Sequence, residues 1–429
     1  MAFVLGILQF VIITFILIKE FESKSSATFL WATLFIMFGV PHLLASINGD
    51  DTYSNWVLCE ASLFAVFFCI FYFAVRFTVA PKIMRQHREV MQYENIEKSL
   101  EEENADNRLL FIILVVVELL AIYPYIQYVG NIFVTSWSNS RDYSATLDYV
   151  NAHQIYRIIY YSLSGLMVSA FVKKQKWLFA LLGILLLGIV IVTRNRIEIL
   201  PFFCSIIAIF IFKNKKISMK VVVLGALGAI VVIYIVYGLR VFRHYGTITD
   251  FINGFNFADY TRRVNLYIQK DDGELGLRKV FYYFLDHNNN FEDFGKAHTY
   301  LRMLFVYIPT RWSLGLKPDD FAIAMGHAYG MAAGGSTHPT LFGDCYANLD
   351  VFGVLLGGFW ALYASVADKL VCRSKSALSR ILIYVLNAVV FVIIGRGSVY
   401  NAFWFVAYGV PLILLIDYMR NRVRIRVKI

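Results

Sequence analysis

The stretch WVLCEASLFAVFFCIFYFAVRFTV, running from Trp56 to Val79, decides the fold class. As a helix it is long enough to cross a hydrocarbon core of about 30 Å, which takes roughly 20 residues. Working outward from it, comparable apolar runs lie at Ala2 to Ile18, Ala27 to Ser46, Leu109 to Val134, Gln154 to Val172 and Trp177 to Thr193. Others lie at Ile197 to Phe212, Met219 to Gly238, Leu349 to Leu370, Leu382 to Ile394 and Val399 to Met419. The pattern predicts about eleven transmembrane helices, the tenth short unless flanking residues continue it. Composition agrees, with 59% hydrophobic and 16% charged residues over 429 positions and a mean hydropathy of +0.60. A soluble domain of that make-up would expose large apolar patches. The chain therefore reads as an all-α polytopic membrane protein.

One polar interruption breaks the series between the eighth and ninth spans. It divides the chain into residues 1–238 with eight spans, residues 239–348 as one large, partly helical loop, and residues 349–429 with three spans and a basic tail. Within the loop, Tyr260 to Leu285 has helical periodicity and Asn288 to Asn290 reads as a break. Tyr300 to Ile308 is apolar enough to lie in the interface or re-enter the membrane, with Pro309 ending it. The small residues from Met331 to Ser336 read as a flexible turn. Lys82 to Arg108, rich in Glu, reads as a solvated helical hairpin or extension.

Basic residues mark alternate connections: Lys82, Arg85 and Arg88; Lys173, Lys174 and Lys176; Lys213, Lys215, Lys216 and Lys220; Arg373, Lys375 and Arg380; and the tail from Arg420 to Lys428. The positive-inside rule makes these cytoplasmic. Asn48 to Asn55 carries Asp50 and Asp51 but no Lys or Arg, so the amino terminus and the large loop are expected outside and the carboxyl terminus inside. The first span begins at Ala2 without a basic leader, so a cleavable signal peptide is not expected. The net charge of +10 is accounted for by anchors against anionic lipid, which argues against nucleic acid as a partner. The five cysteines have no metal-ligand spacing; a Cys59–Cys345 bridge is conceivable but nothing requires it.

Two tight connections carry basic residues where topology does not ask for them: Thr193-Arg194-Asn195-Arg196 after the sixth span and Gly395-Arg396-Gly397 after the tenth, both expected on the outer face. These side chains either snorkel to headgroups or converge with cations of the large loop on an anionic group, since guanidinium forks match phosphate oxygens. The loop supplies Arg240, Arg243, Arg262, Arg263, Arg311 and Lys317, with His244, His327 and His338 as titratable groups. It also holds the adjacent carboxylate pairs Asp271-Asp272 and Asp319-Asp320, which read as solvated loop residues because neighbours at i and i+1 do not face one another on regular elements. No Asp-x-Asp metal motif occurs on the outer face, and neither metal nor cofactor is expected.

Tyr307-Ile308-Pro309-Thr310-Arg311-Trp312 with Lys317-Pro318, then Gly334-Gly335, His338-Pro339-Thr340-Leu341-Phe342-Gly343-Asp344 and Tyr346-Ala347-Asn348 before a Gly-rich span, resemble the bacterial O-antigen polymerases, the Wzy-type oligosaccharide repeat-unit polymerases. Asp344 stands where that pattern has Glu, and Asp350 where it has Gly. The resemblance implies a GT-C-like glycosyltransferase of the bacterial inner membrane that joins undecaprenyl-diphosphate-linked repeat units into O-antigen or capsule-type polysaccharide at the periplasmic face. A chain-length regulator and a flippase would be its partners. It further implies that Arg194, Arg196, Arg240, Arg243, Arg311, Lys317 and Arg396 bind the diphosphate or sugars. His338, placed like a histidine of the related O-antigen ligases, would act as base or acceptor-orienting group. An O-antigen ligase and a lipid-linked oligosaccharide flippase or transporter stand as the alternatives.

Overall fold

The computed structural model describes the chain apart from residues 104–107, 130, 132–133, 135–146, 194, 215–217, 243–244, 271–272, 333–334 and 428–429. Its described backbone is helical, without a strand. The first half contains α1 (Ala2–Glu22), α2 (Thr28–Leu34), α3 (Val40–Asn48), α4 (Asn55–Val79), α5 (Pro81–Val90), α6 (Tyr93–Glu103), α7 (Arg108–Val129), α8 (Leu147–Leu163), α9 (Leu166–Val172), α10 (Lys176–Thr193) and α11 (Leu200–Lys213). Then come α12 (Met219–Phe242), α13 (Ile248–Gly254), α14 (Phe257–Gln269), α15 (Leu277–Asp286), α16 (His298–Leu304), α17 (Phe321–Ala328), α18 (Thr340–Leu349), α19 (Leu356–Arg373), α20 (Ala377–Gly395) and α21 (Val399–Val427).

Among the described residues, eight helical runs are long and apolar enough to cross a membrane, each at one of the eleven expected spans. The other three expected spans are helical at α7, α10 and α11; α11 has only 14 residues, short of the roughly 20 a perpendicular crossing needs. The tenth span is not short, because Ala377 to Ile381 extend its helix to 19 residues. The extension expected at Lys82 to Arg108 is helical in α5 and α6, yet it is not wholly solvated: Met84, His87, Ile96 and Leu100 are buried.

The chain groups into two compact units. The first comprises Met1–Val90, Glu274–Arg373 and Asn387–Ala407; the second comprises Met91–Gly273, Ser374–Leu386 and Tyr408–Ile429. The polar interruption is thus shared, with residues 274–348 built into the first unit.

In the first unit α4 packs against α1 and α19. The run Thr28–Asn48 is one apolar helix with a π turn at Phe35–Gly39. Pro41 explains the widening, since it has no N–H to donate and its ring clashes with the carbonyl four residues back. The Gly39 carbonyl at the end of this turn accepts from Gln9 Nε2 at 3.2 Å.

The apolar run from Thr340 to Arg373 is not one rod. Phe342 packs on Phe68 at 5.2 Å between centroids, while Tyr346, one turn on, packs on Phe64 at 5.7 Å, one turn back along α4. The chain then reverses through a 3-10 segment at Asp350–Leu355 and descends again as α19. The ninth span is therefore preceded by a half-helix, α18, that the sequence assigned to the loop's end. Asp350 makes the reversal with φ of 51°, where its carboxylate accepts from Asn289 Nδ2. Gly295 N and Ala297 N donate to Ala347 O and Asn348 O at 2.8 and 2.7 Å, so the loop from 287 to 299 is stitched to α18.

Two polar clusters hold this unit together. At one end the buried Arg76 guanidinium donates to both Glu20 oxygens, at 2.8 and 2.9 Å, to Asp368, and to Ser365 at 3.0 Å. Tyr72 donates to Glu20 at 2.8 Å, and Ser25 to Asp368 at 2.9 Å. This joins α1, α4 and α19 through charges that hydrocarbon would not tolerate unmatched. Deeper toward the other end, buried His42 lies 2.7 Å from Ser62 Oγ and 2.5 Å from Tyr282 Oη. Ser62 donates to Leu58 O at 2.9 Å, so it accepts from Nε2–H, which leaves Nδ1 to accept from Tyr282. That chain fixes α15 against α3 and α4.

In the second unit α7 packs against α8 and α10. Glu118 and Glu198 are buried there among Tyr156, Tyr160 and Tyr161, with Arg157 Nε 2.6 Å from Glu198. Tyr260 of α14 donates to Tyr234 O of α12 at 3.1 Å, over Gly238, where a side chain would collide with the phenol. Asp259 accepts from Arg263 and Arg262, both at 2.7 Å, and these bonds hold its carboxyl below the usual range.

Candidate functional site

The first unit brings three chain ends together inside its helices. The turn Gly395-Arg396-Gly397 was expected as a surface connection; the structure buries it. A Cβ on Gly395 would lie 2.9 Å from Thr33 Cβ, early in the Thr28–Asn48 run and far from its Asn48 end. Gly397, at φ of 96°, abuts Thr340, and a Cβ there would lie 2.7 Å from Thr340 O. Thr340 N donates to Arg396 O at 3.2 Å. The start of α18, the end of α20 and the start of α21 therefore meet at the level of Phe342 and Phe68, near the middle of α4. Non-helical backbone at such depth persists where protein buries it or where it borders a polar cavity.

A narrow cleft opens at this junction between Arg302, Asp320, Asp344, Ser398, Tyr400 and Asn401. Arg302 projects from α16. Its guanidinium lies 4.6 Å from the Tyr400 ring centroid and donates to Pro318 O at 2.6 Å, while its buried Nε makes no hydrogen bond among the described residues. No ion pair forms on it within the described set, although buried Asp344 lines the same cleft. Asp344 receives Tyr300 Oη at 3.3 Å; burial pushes the Tyr300 phenol well above its usual range, so Tyr300 keeps its proton. Asp320 is occupied as the cap of α17, accepting from Ala322 N at 3.1 Å. The first turn of the long helix α21 borders the cleft through Val399, Tyr400 and Asn401, adding the partial positive charge of free N–H groups.

Of the residues singled out in the sequence, Lys317 approaches this cleft, its Nζ 6.0 Å from the Tyr400 ring and 2.9 Å from Ile308 O. His338 is half-buried beside the junction, on a strand of backbone pinned by Thr337 N to Ala322 O at 3.2 Å and by Thr340 N to Arg396 O. Arg396 neither snorkels nor stands open: its Nε lies 2.8 Å from Glu274, and both side chains are largely buried. Arg311 is exposed on the same connection as Lys317, over Trp312 at 5.3 Å. Arg240 belongs to the second unit, where it covers Tyr267 at 4.6 Å. Arg194 and Arg243 lie outside the described residues, as does the side chain of Arg196, whose backbone opens the 3-10 turn Arg196–Ile199.

Sequence reasoning missed Arg302. It sits in the apolar segment from Tyr300 to Ile308, which reads as interfacial, and the nearest signal is the pair Tyr300 and Arg302 on a short helix. Cys59 and Cys345 are free thiols, not a bridge. Among the described residues no three His, Cys, Asp or Glu side chains are grouped as metal ligands.

The cleft borders one small volume with an unsatisfied guanidinium edge and a helix start, which can hold an anionic group, beside the Asp320 and Asp344 carboxyls. The Lys317 ammonium lies near the cleft without lining it. The present space of the cleft, about 10 Å³, suits one water-sized group. The end of α16 and the connection that follows it carry the exposed apolar side chains Leu304, Trp312, Leu314 and Leu316. Comparisons with protein-family models, with curated proteins and with solved structures give no match.

Proposed function

We propose that this protein is a membrane glycosyltransferase that joins lipid-diphosphate-linked oligosaccharide repeat units, with the half-helix junction of the first unit as its diphosphate site. The observation that carries the proposal is Arg302, a cation with a buried, unsatisfied edge beside a helix start. The leaving group in such a transfer is a polyprenyl diphosphate, and catalysis needs preorganised positive charge where that group departs. The acceptor hydroxyl attacks the anomeric carbon, the bond from that carbon to the diphosphate oxygen breaks, and the electron pair leaves with the diphosphate. His338 takes the hydroxyl proton. Arg302, Lys317 and the first turn of α21 receive the developing charge, and the apolar outer side of the connection from Leu304 to Leu316 faces the lipid tail.

Two further points support the polymerase reading. The Wzy-type pattern has glycine where this chain has Asp350, and that residue adopts a φ of 51°, a conformation that favours glycine. The distribution of basic residues supports an outward orientation of the junction, which in this reading is the periplasmic face of an inner membrane.

A second reading, a lipid-linked oligosaccharide transporter, is favoured by the junction itself, since broken helices meeting inside the membrane also build translocation sites. Washed membranes containing the protein, incubated with a defined undecaprenyl-diphosphate-linked repeat unit, distinguish these. A ladder of products spaced by one repeat unit is the expected outcome. Transfer to a lipid A core would mean a ligase. Unchanged oligosaccharide that moves across vesicle membranes would mean a transporter.

A further inference from the structure

An open groove of the first unit lies away from the cleft, between the starts of α1 and α4 and the end of α3. Its volume is about 530 Å³. Phe3 and Ile47 form an apolar side, Ser46, Asn48 and Asn55 supply hydrogen-bonding groups, and Trp56 stands at its edge with 63% of its surface exposed.

We propose that this groove is a subsite for the uncharged sugars of the glycan chain; the proposal rests on the glycosyltransferase reading above. Charge argues against the diphosphate as occupant. None of the groove's side chains is ionisable apart from the Cys59 thiol, which is buried beneath it. The adjoining loop carries Asp50 and Asp51, and no Lys or Arg occurs between Lys24 and Arg76. Phosphate would meet no Lys or Arg here, only the single amino group of Met1, against the negative neighbours Asp50 and Asp51. A lipid tail is a poorer match than sugar, because the exposed amides of Asn48 and Asn55 would lose water without gaining a partner. A pyranose offers both halves of the complement: hydroxyls for the amides and Ser46, and an apolar C–H face for the indole. The groove also lies along the same helix as the cleft. Trp56 and Phe68 of α4 are separated by 12 residues, about 18 Å of helix, so a chain held at Trp56 keeps its reacting end near the junction.

A subsite of this kind retains the growing glycan between additions by raising its local concentration, without touching the reacting atoms. Trp56→Ala should therefore shorten the products while sparing the first transfer. Stacking on one aromatic ring corresponds to about a two- to tenfold change in residence, enough to move the modal length of a ladder. The test uses the full-length protein in washed membranes at matched abundance with the lipid-linked repeat unit as probe. Expected are a modal length cut by about half or more, a first-transfer rate within about twofold of the parent, and near-parent length for Trp56→Phe. Asn48→Leu, at an exposed helix end where no packing is lost, should shorten the products in the same way.

A parent protein that yields no ladder would remove the glycosyltransferase premise itself. A parent ladder with Trp56→Ala and Asn48→Leu both at parent length would overturn the subsite alone. So would loss of the first transfer in Trp56→Ala at parent abundance, because Trp56 would then act in the reaction.

Discussion

Two charged regions of the first unit contrast in how their charges are matched. Around Arg76 every fork of the guanidinium meets an oxygen, and Glu20, Arg76, His87 and Asp368 are all fully buried. Around Arg302 one edge is buried and unsatisfied, the nearest carboxyl of the cleft forms no ion pair with it, and the neighbouring connection is apolar and exposed. Both clusters sit among helices that cross or enter the membrane, where an unmatched charge is costly. The difference therefore separates roles: a closed ionic cluster holds helices together, and an incompletely matched one is poised for a ligand that brings its own charge.

The largest expected effect tests the first half of that contrast. Arg76→Leu leaves Glu20 and Asp368 buried without their shared cation, a loss on the order of 3–5 kcal/mol. We expect little inserted protein and a thermal midpoint well below that of the parent in detergent. A variant of parent yield and midpoint would mean that the cluster does not hold the unit.

Next comes Arg302→Ala, which should leave yield and midpoint unchanged while slowing transfer about a hundredfold or more, the usual cost of removing one donor to a developing anion. Arg302→Lys keeps the charge but not the planar fork, so its activity should fall between alanine and parent. Equal thermal losses in the Arg76 and Arg302 variants would erase the distinction between the two regions. His338→Ala should slow transfer by about a hundredfold at unchanged donor affinity, the lower end of what general-base loss costs. Weakened donor binding in that variant would move His338 to the binding surface.

A double-mutant cycle at Arg396 and Glu274 sharpens the comparison further. Because the two are paired, Arg396→Ala and Glu274→Ala should each lower stability, and their combination should recover part of the loss, with a coupling of about 0.5–3 kcal/mol. Additive losses would put Arg396 with the open cluster instead. The smallest effect is expected for Arg311→Ala, whose side chain is exposed over Trp312: a few-fold loss of transfer at most, measured in the same assay.

The sequence made the helices legible because apolar runs of span length admit few other readings. It did not make their interruptions legible. Polar residues such as Asp344 and Asn348 place α18 with the loop, so hydropathy starts the ninth span at Leu349 and misses the half-helix that enters before the turn at Asp350. Gly395-Arg396-Gly397 looks like any outer connection, and only contact with Thr33 and Thr340 reveals its depth. The partners Arg76 and Asp368 are separated by 292 positions, a pairing that no local pattern encodes. Of the site, Lys317, His338 and Arg396 were visible as polar residues in an apolar chain, whereas Arg302 was hidden in a segment whose composition pointed to lipid.

The central claim, that the junction beside Arg302 holds the diphosphate, is tested most directly by photolabelling. A polyprenyl diphosphate carrying a photoreactive group next to its phosphates would be irradiated with the full-length protein in membranes, and the labelled peptides identified by mass spectrometry. The account predicts label in residues 298–318 and 396–401, competed by unlabelled polyprenyl diphosphate and reduced in Arg302→Ala. Competed label confined to other parts of the chain, with those two segments unmodified, would contradict it.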